Sequence, residues 1–230
     1  MKTIGIIGGM SWESSAQYYA LINRAVRDRL GAPHSAKILM HSLDFGEVER
    51  LQHAGDWDAL GDMMDASARA LDAGGADCIV LATNTMHKLA ERIEGASSLP
   101  LIHIADPTAA AIRAAGLSRV GLLGTAFTME QAFYRGRLER EHGMDVLIPE
   151  SRDRAEVHRV IYEELVAGKV CDASKAAYRE VIARLVDQGA QGIILGCTEI
   201  MLLVGEKDSA VPLFDTTTLH ATASADFALT

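Results

Sequence analysis

Short apolar runs alternate with longer amphipathic stretches along the whole chain. TIGIIGG (3–9) has the pattern of a buried strand running into glycines, and SAQYYALINRAVRDRL (15–30) has helical spacing, closed by Gly31 and Pro33. AKILMHSLD (36–44), DCIVLAT (77–83), LPLIHIA (99–105), RVGLLGT (119–125), DVLIP (145–149), GIILGC (192–197) and VPLFD (211–215) read as further strands. WDALGDMMDASARALDAG (57–74), TMHKLAERIEG (85–95), DPTAAAIRAAG (106–116) and stretches near 128–142, 153–168 and 173–188 read as helices. The helix at 106–116 opens with Asp then Pro, a cap and first-turn signal, and ends at a glycine. Continuous apolar strands alternating with helices predict parallel sheets covered on both faces.

The two halves of the chain repeat. LDAGGADCIVLATNT (71–85) set above LVDQGAQGIILGCTE (185–199) shares Leu, Gly, Ala, Ile and Leu at an offset of 114 residues. IGIIG (4–8) matches VGLLG (120–124) at 116, and Pro100-Leu101 matches Pro212-Leu213 at 112. Three segments sharing almost one offset point to duplication of an α/β unit. Two pseudo-symmetric parallel-sheet lobes follow, with the active site expected in the cleft between them. Asp215-Thr216-Thr217 close the last strand and are expected to return the C-terminal helix to the first lobe. The expected division is 1–105 with 215–230 for the N-terminal lobe and 106–214 for the C-terminal lobe.

Composition narrows the function classes. The 230 residues are 49% apolar, 23% charged and 5% aromatic, an ordinary globular mix. A net charge of −9 argues against a general nucleic-acid partner, because phosphate contacts need a basic face. Cys78, Cys171 and Cys197 are an odd number without CxxC spacing, so neither a disulfide framework nor a structural zinc site is expected. No apolar run approaches the roughly 20 residues of a membrane span, and the N-terminal apolar run is too short for a signal peptide. The expected location is cytoplasmic.

Strands in open parallel sheets present their chemistry at their carboxyl ends. Two such tips are Thr83-Asn84-Thr85 and Cys197-Thr198-Glu199, and the repeat makes Thr83 and Cys197 equivalent. Each tip is expected to lead into a helix whose first N–H groups attract a carboxylate. A free cysteine is most often a small buried apolar residue. Cys197, however, ends a strand before a helix among Thr and Glu, a setting expected to lower a thiol from about 8.5 toward neutrality. Cys78 lies inside an apolar strand and reads as core.

IGIIGGM at the start, ATNTMH (82–87), ADPT (105–108) and GCTE (196–199) together resemble the aspartate/glutamate racemase family, in its broad-specificity and L-aspartate/glutamate-specific branch. The likeness covers essentially the whole chain in the expected order. It implies two pseudo-symmetric α/β lobes, two-base proton transfer at the substrate Cα, no pyridoxal phosphate, no metal and a possible homodimer. Cys197 and Thr83 inherit the two catalytic positions. Members usually carry a cysteine at each, whereas this chain has Thr83, a poor base that can still donate a proton to a carbanion. Asn84, Thr85 and Thr198 are expected to hold the α-carboxylate, Met10 to form part of the substrate wall, and Glu199 to support Cys197. Aspartate-specific relatives carry a lysine that aligns with Val166, and an arginine in a loop that here reads HSLDFGEVERLQ (41–52), where Arg50 and Gln52 are the available substitutes.

Other signals are weaker. Gly5, Gly8 and Gly9 do not have GxGxxG spacing, and no nucleotide cofactor is expected. The eight histidines show no metal-ligand spacing. His87 reads as packing behind its tip. Thr125 and Thr128 have the pattern of a helix cap, and by the repeat they also face the cleft. Cofactor-independent racemisation of an amino acid, with aspartate and glutamate leading, is the function this reading expects. Hydantoin racemisation, malonate decarboxylation and a catalytically impaired amino-acid binding protein stay open beside it.

Overall fold

The protein is described by a computed structural model covering residues 1–230. Eight strands form: β1 (Thr3–Gly8), β2 (Lys37–Ser42), β3 (Cys78–Leu81), β4 (Leu101–Ile102), β5 (Arg119–Gly124), β6 (Asp145–Leu147), β7 (Ile193–Gly196) and β8 (Leu213–Asp215). The helices are α1 (Trp12–Leu30), α2 (Phe45–Ala54), α3 (Trp57–Ala73), α4 (Ala90–Ala96), α5 (Ala105–Ala114), α6 (Ala126–Glu130), α7 (Ala132–His142), α8 (Ser151–Glu163), α9 (Asp172–Asp187), α10 (Ile200–Leu203) and α11 (Thr216–Leu229). The strands make two four-stranded sheets, ordered β2-β1-β3-β4 and β6-β5-β7-β8, with every pairing parallel. Strand order is therefore the same in both halves, as duplication requires.

The chain divides into two compact units, Met1–His103 with His220–Thr230, and Ile104–Leu219. In the first, alternation along the strands sorts side chains to two faces. Ile4, Ile6, Cys78 and Val80 pack with Tyr18, Ile22 and Val26 of α1 and with Ala221, Ala225 and Ala228 of α11. Ile7, Ile79 and Leu81 pack on the other face with Leu60, Met64 and Ala68 of α3. Residues from strand centres are fully enclosed on both faces, which is why these runs read as continuously apolar. In the second unit Val120, Leu122, Ile193 and Ile194 join Val157, Val160, Tyr178, Val181 and Leu185 in one core.

Residues 45–54 and the stretch near 128–142 depart from the sequence expectation. Residues 45–54, expected as part of a loop, form α2. Asp44 caps it by accepting from the Gly46 N–H, Val48 and Leu51 are buried, and Gly55 ends it at φ +71°. The helix expected near 128–142 is split, because Gln131 is extended. The two pieces answer to different neighbours. Phe127 of α6 meets His158 of α8 edge-on, whereas Arg137 of α7 pairs with Asp106 of α5.

Candidate active site

In the first unit Ile7 of β1 pairs with Leu81 of β3, so the residues that follow these strands leave the same end of the sheet. After β1 the chain turns at Gly9, φ +86°, where a Cβ would lie 2.1 Å from the Leu43 carbonyl oxygen; only glycine fits. Ser15 Oγ accepts from the Gly9 N–H at 2.7 Å and donates to the Ser11 carbonyl at 2.9 Å, fixing the loop that carries buried Met10. After β3 come Thr83, Asn84 and Thr85, all buried. His87 Nδ1 lies 2.7 Å from the Thr83 carbonyl oxygen. A carbonyl only accepts, so Nδ1 carries the proton.

That side-chain bond shapes the turn. With the Thr83 carbonyl taken by an imidazole, the His87 amide bonds the Asn84 carbonyl instead, at 3.1 Å. The result is a 3-10 helix, Thr85–Leu89, before α4, in place of the single α-helix expected over 85–95. Gln52, buried on α2, donates through Nε2 to Met86 Sδ at 3.2 Å, which ties it to this tip, whereas Arg50 is exposed.

In the second unit β5 and β7 abut through glycines. A Cβ on Gly196 would lie 2.7 Å from the Leu123 carbonyl oxygen, and one on Gly124 would lie 2.8 Å from that of Gly196. Thr125 and Cys197 leave these strand ends side by side in register. Cys197 Sγ donates to Glu199 Oε2 at 3.0 Å, and Thr198 Oγ1 donates to the same oxygen at 2.7 Å. All three residues are buried. The backbone amides of Thr198 and Glu199 act on the sulfur in the sense that favours its charged form.

This environment overturns the expectation of an acidic thiol. Burial pushes the Cys197 thiol well above its ordinary value, and the Glu199 carboxylate pushes it further. The two amides pull the other way and are outweighed. The local sequence shows a polar tip, but not that its carboxylate is aimed at the sulfur. The helix that follows is also short: α10 has four residues, so its N-terminus carries little of a long helix's macrodipole. The resting state is a neutral thiol hydrogen-bonded to a carboxylate.

Thr125 caps α6, accepting from the Thr128 N–H at 3.3 Å, and the two hydroxyls lie 3.2 Å apart. Val166 packs against the core, so the position aligned with a lysine in aspartate-specific relatives is apolar. No lysine or arginine is buried anywhere in the chain. Asp106, Glu141 and His142 bring three ligand atoms within 4.8 Å of one another. Asp106 is already held by Arg137 at 2.8 and 2.9 Å and by His142 at 2.9 Å, which makes the group an ion-pair cluster.

Sequence reasoning missed the buried layer behind Thr83. His220 Nε2 lies 2.7 Å from the Ile102 carbonyl oxygen, which makes Nε2 the donor and leaves Nδ1 to accept from Tyr18 Oη at 2.9 Å. His87 and His103 meet with ring centroids 4.5 Å apart. His220 arrives on α11 from the far end of the chain, and no local pattern signals it.

The thiols separate by access. Cys171 is exposed; Cys78 is buried, and burial pushes its thiol up to about 11. Alkylation near neutral pH is expected to label Cys171 first, with Cys78 and Cys197 slow in the native protein. Peptide mass spectrometry along a time course checks this, and rapid labelling of Cys197 would contradict a neutral resting thiol.

The sequence model of the Asp/Glu/hydantoin racemase family matches residues 7–224. A Yersinia pestis crystal structure described as a candidate Asp/Glu racemase is 54% identical, covers 100% of both chains and superposes with a TM-score of 0.94. PH1733 from Pyrococcus horikoshii OT3, described as an aspartate racemase homologue, is 32% identical over 100% of both chains with a TM-score of 0.86. The broad specificity amino-acid racemase RacX of Bacillus subtilis is 27% identical over 145 residues, 63% of this chain and 62% of that protein. No helix is long and apolar enough to cross a membrane. With the family sequence matching nearly end to end and full-length relatives sharing its two-sheet architecture, this chain belongs to the Asp/Glu/hydantoin racemase family.

Proposed function

We propose that the protein is a cofactor-independent amino-acid racemase, an isomerase acting on aspartate, glutamate and further amino acids. The observation that carries this reading is the strand tip of β7, where a buried thiol donates to a buried carboxylate at the position the repeat makes equivalent to Thr83. A thiol so placed is built to become a base transiently. As thiolate, Cys197 takes the α-proton from one face of the substrate, and the C–H electron pair stays behind as an enolate-like carbanion. Thr83, its equivalent in the repeat, donates its hydroxyl proton to the opposite face and regains one from water. Backbone N–H groups at the two tips, with Asn84 and Thr85, hold the α-carboxylate and stabilise its developing charge. Met10, Gln52, Thr125, Thr128 and Thr198 complete the contacts to substrate. The Thr198 hydroxyl proton is committed to Glu199, which leaves this residue its amide and an accepting oxygen.

The test is proton NMR of a panel of L-amino acids in heavy water, with protein first dialysed against a chelator. Loss of the α-proton signal is expected, strongest for aspartate or glutamate. Saturable binding without exchange is the result a binding protein gives. Activity restored only by added metal or pyridoxal phosphate would overturn the cofactor-independent reading.

A further inference from the structure

We infer that Glu199 stores the proton that Cys197 must give up, so that base formation is a transfer within the pair and not a loss of the proton to solvent. This inference rests on the racemase reading and deepens it. In the step, the S–H bond breaks with its electron pair left on sulfur, and an O–H bond forms at Glu199 Oε2. The thiolate then takes the substrate α-proton. Once Thr83 has protonated the opposite face, one proton leaves the Glu199–Cys197 pair and one reaches Thr83, both through solvent.

Three observations favour transfer within the pair. The donor and acceptor are already bonded at 3.0 Å. Both are buried, so expelling the proton to water would leave a thiolate against a carboxylate in a site that opposes even one extra charge. Moving it to Oε2 keeps a single negative charge, and the amides of Thr198 and Glu199 favour that charge on sulfur. Thr198 Oγ1, donating to Oε2 at 2.7 Å, fixes the carboxylate's orientation.

Neighbouring groups do not titrate in competition. Tyr178 of α9 senses Cys197, but burial raises its phenol well above the ordinary value and keeps it neutral. Glu156 and Glu164 act on Tyr178 from α8 and the turn after it. Arg159 holds Glu156 below the usual carboxylate range, and Ser174 does the same to Glu164, so both stay ionised and Arg159 stays charged.

The test compares wild type with Glu199→Gln and Glu199→Asp by two readouts. The first is kcat/KM against pH, using the best substrate of the panel. Wild type is expected to be flat from neutrality into the mildly alkaline range. Glu199→Gln is expected to lose at least about a hundredfold near neutrality. It then recovers about tenfold per pH unit, because hydroxide must now remove the thiol proton. Glu199→Asp keeps a flat profile at a reduced level.

The second readout needs no substrate. It is ultraviolet thiolate absorbance through an alkaline titration, taken as the difference from the matching Cys197→Ser protein. Removing the carboxylate removes a repelling charge, so Glu199→Gln is expected to form thiolate at lower pH than wild type. A more acidic thiol in a slower enzyme is a combination that a merely structural role does not produce. A Glu199→Gln profile parallel to wild type, or a thiolate transition unmoved or shifted upward, overturns the inference. A wild-type protein that turns over no amino acid sinks the racemase reading, and the absorbance then judges the pair alone.

Discussion

Cys197→Ser is expected to lower racemisation at least about a hundredfold, the low end of what a positioned acid–base group contributes. A hydroxyl is a far weaker acid than a thiol, so serine cannot hand its proton to Glu199 at comparable cost. The fold is expected to survive. The swap is nearly isosteric, and a serine hydroxyl can donate to Glu199 Oε2 in place of the thiol at 3.0 Å, so the buried carboxylate keeps both donors. The melting midpoint should therefore move by no more than a few degrees, roughly 1 kcal/mol at this chain length. Chiral chromatography of the product and a thermal melt on the same preparation check both halves. Wild-type turnover in the folded serine variant would remove Cys197 from the mechanism.

Thr83→Cys is expected to raise racemisation, by about tenfold or more if the new thiol becomes a competent acid–base group. The gain must be equal in both directions. Free enantiomers in water have equal energy and a catalyst cannot move that equilibrium, so kcat/KM for L to D equals kcat/KM for D to L in wild type and variant alike. A poor acid–base group on one face slows both. What limits the gain is also visible. The repeat places Thr85 where the other tip has Glu199, so a cysteine at 83 lacks the carboxylate that Cys197 bonds. Chiral chromatography from each enantiomer measures the two rates, and a gain in one direction only would contradict the account.

Much of the fold was readable because its causes are local. The sheet centres are apolar on both faces, so Ile4, Ile6 and Ile7 announce a covered parallel strand before any neighbour is known. Repetition then gave the shared strand order and the equivalence of Thr83 and Cys197. What escaped is set by partners distant in sequence or by side-chain direction. The break at Gln131 follows from α6 and α7 packing on different helices. The 3-10 turn after Thr83 follows from one imidazole taking one carbonyl. The helix at 45–54 carries its own cap in Asp44 and its own stop in Gly55, local signals that outweigh the resemblance of this stretch to a family loop. The sign of the Cys197 shift was illegible for the same reason. GCTE reveals a carboxylate two residues away, but the turn after β7 decides that Oε2 sits 3.0 Å from the sulfur.

The measurement that tests the two-face assignment most directly follows α-proton washout and optical inversion in the same heavy-water samples, starting separately from L- and D-aspartate. In the proposed mechanism, resemblance to the racemase family puts Cys197 on the face that carries the α-proton of the L-enantiomer, and its proton can scramble with the one on Glu199. Most carbanions should then collapse back to L before Thr83 delivers a proton from the other side. L-aspartate is expected to lose its α-proton faster than it loses optical rotation, while D-aspartate exchanges slowly and inverts each time it does. Equal rates of exchange and inversion from L-aspartate, with rapid washout from D-aspartate, would contradict the account and show that a base other than Thr83 serves the second face.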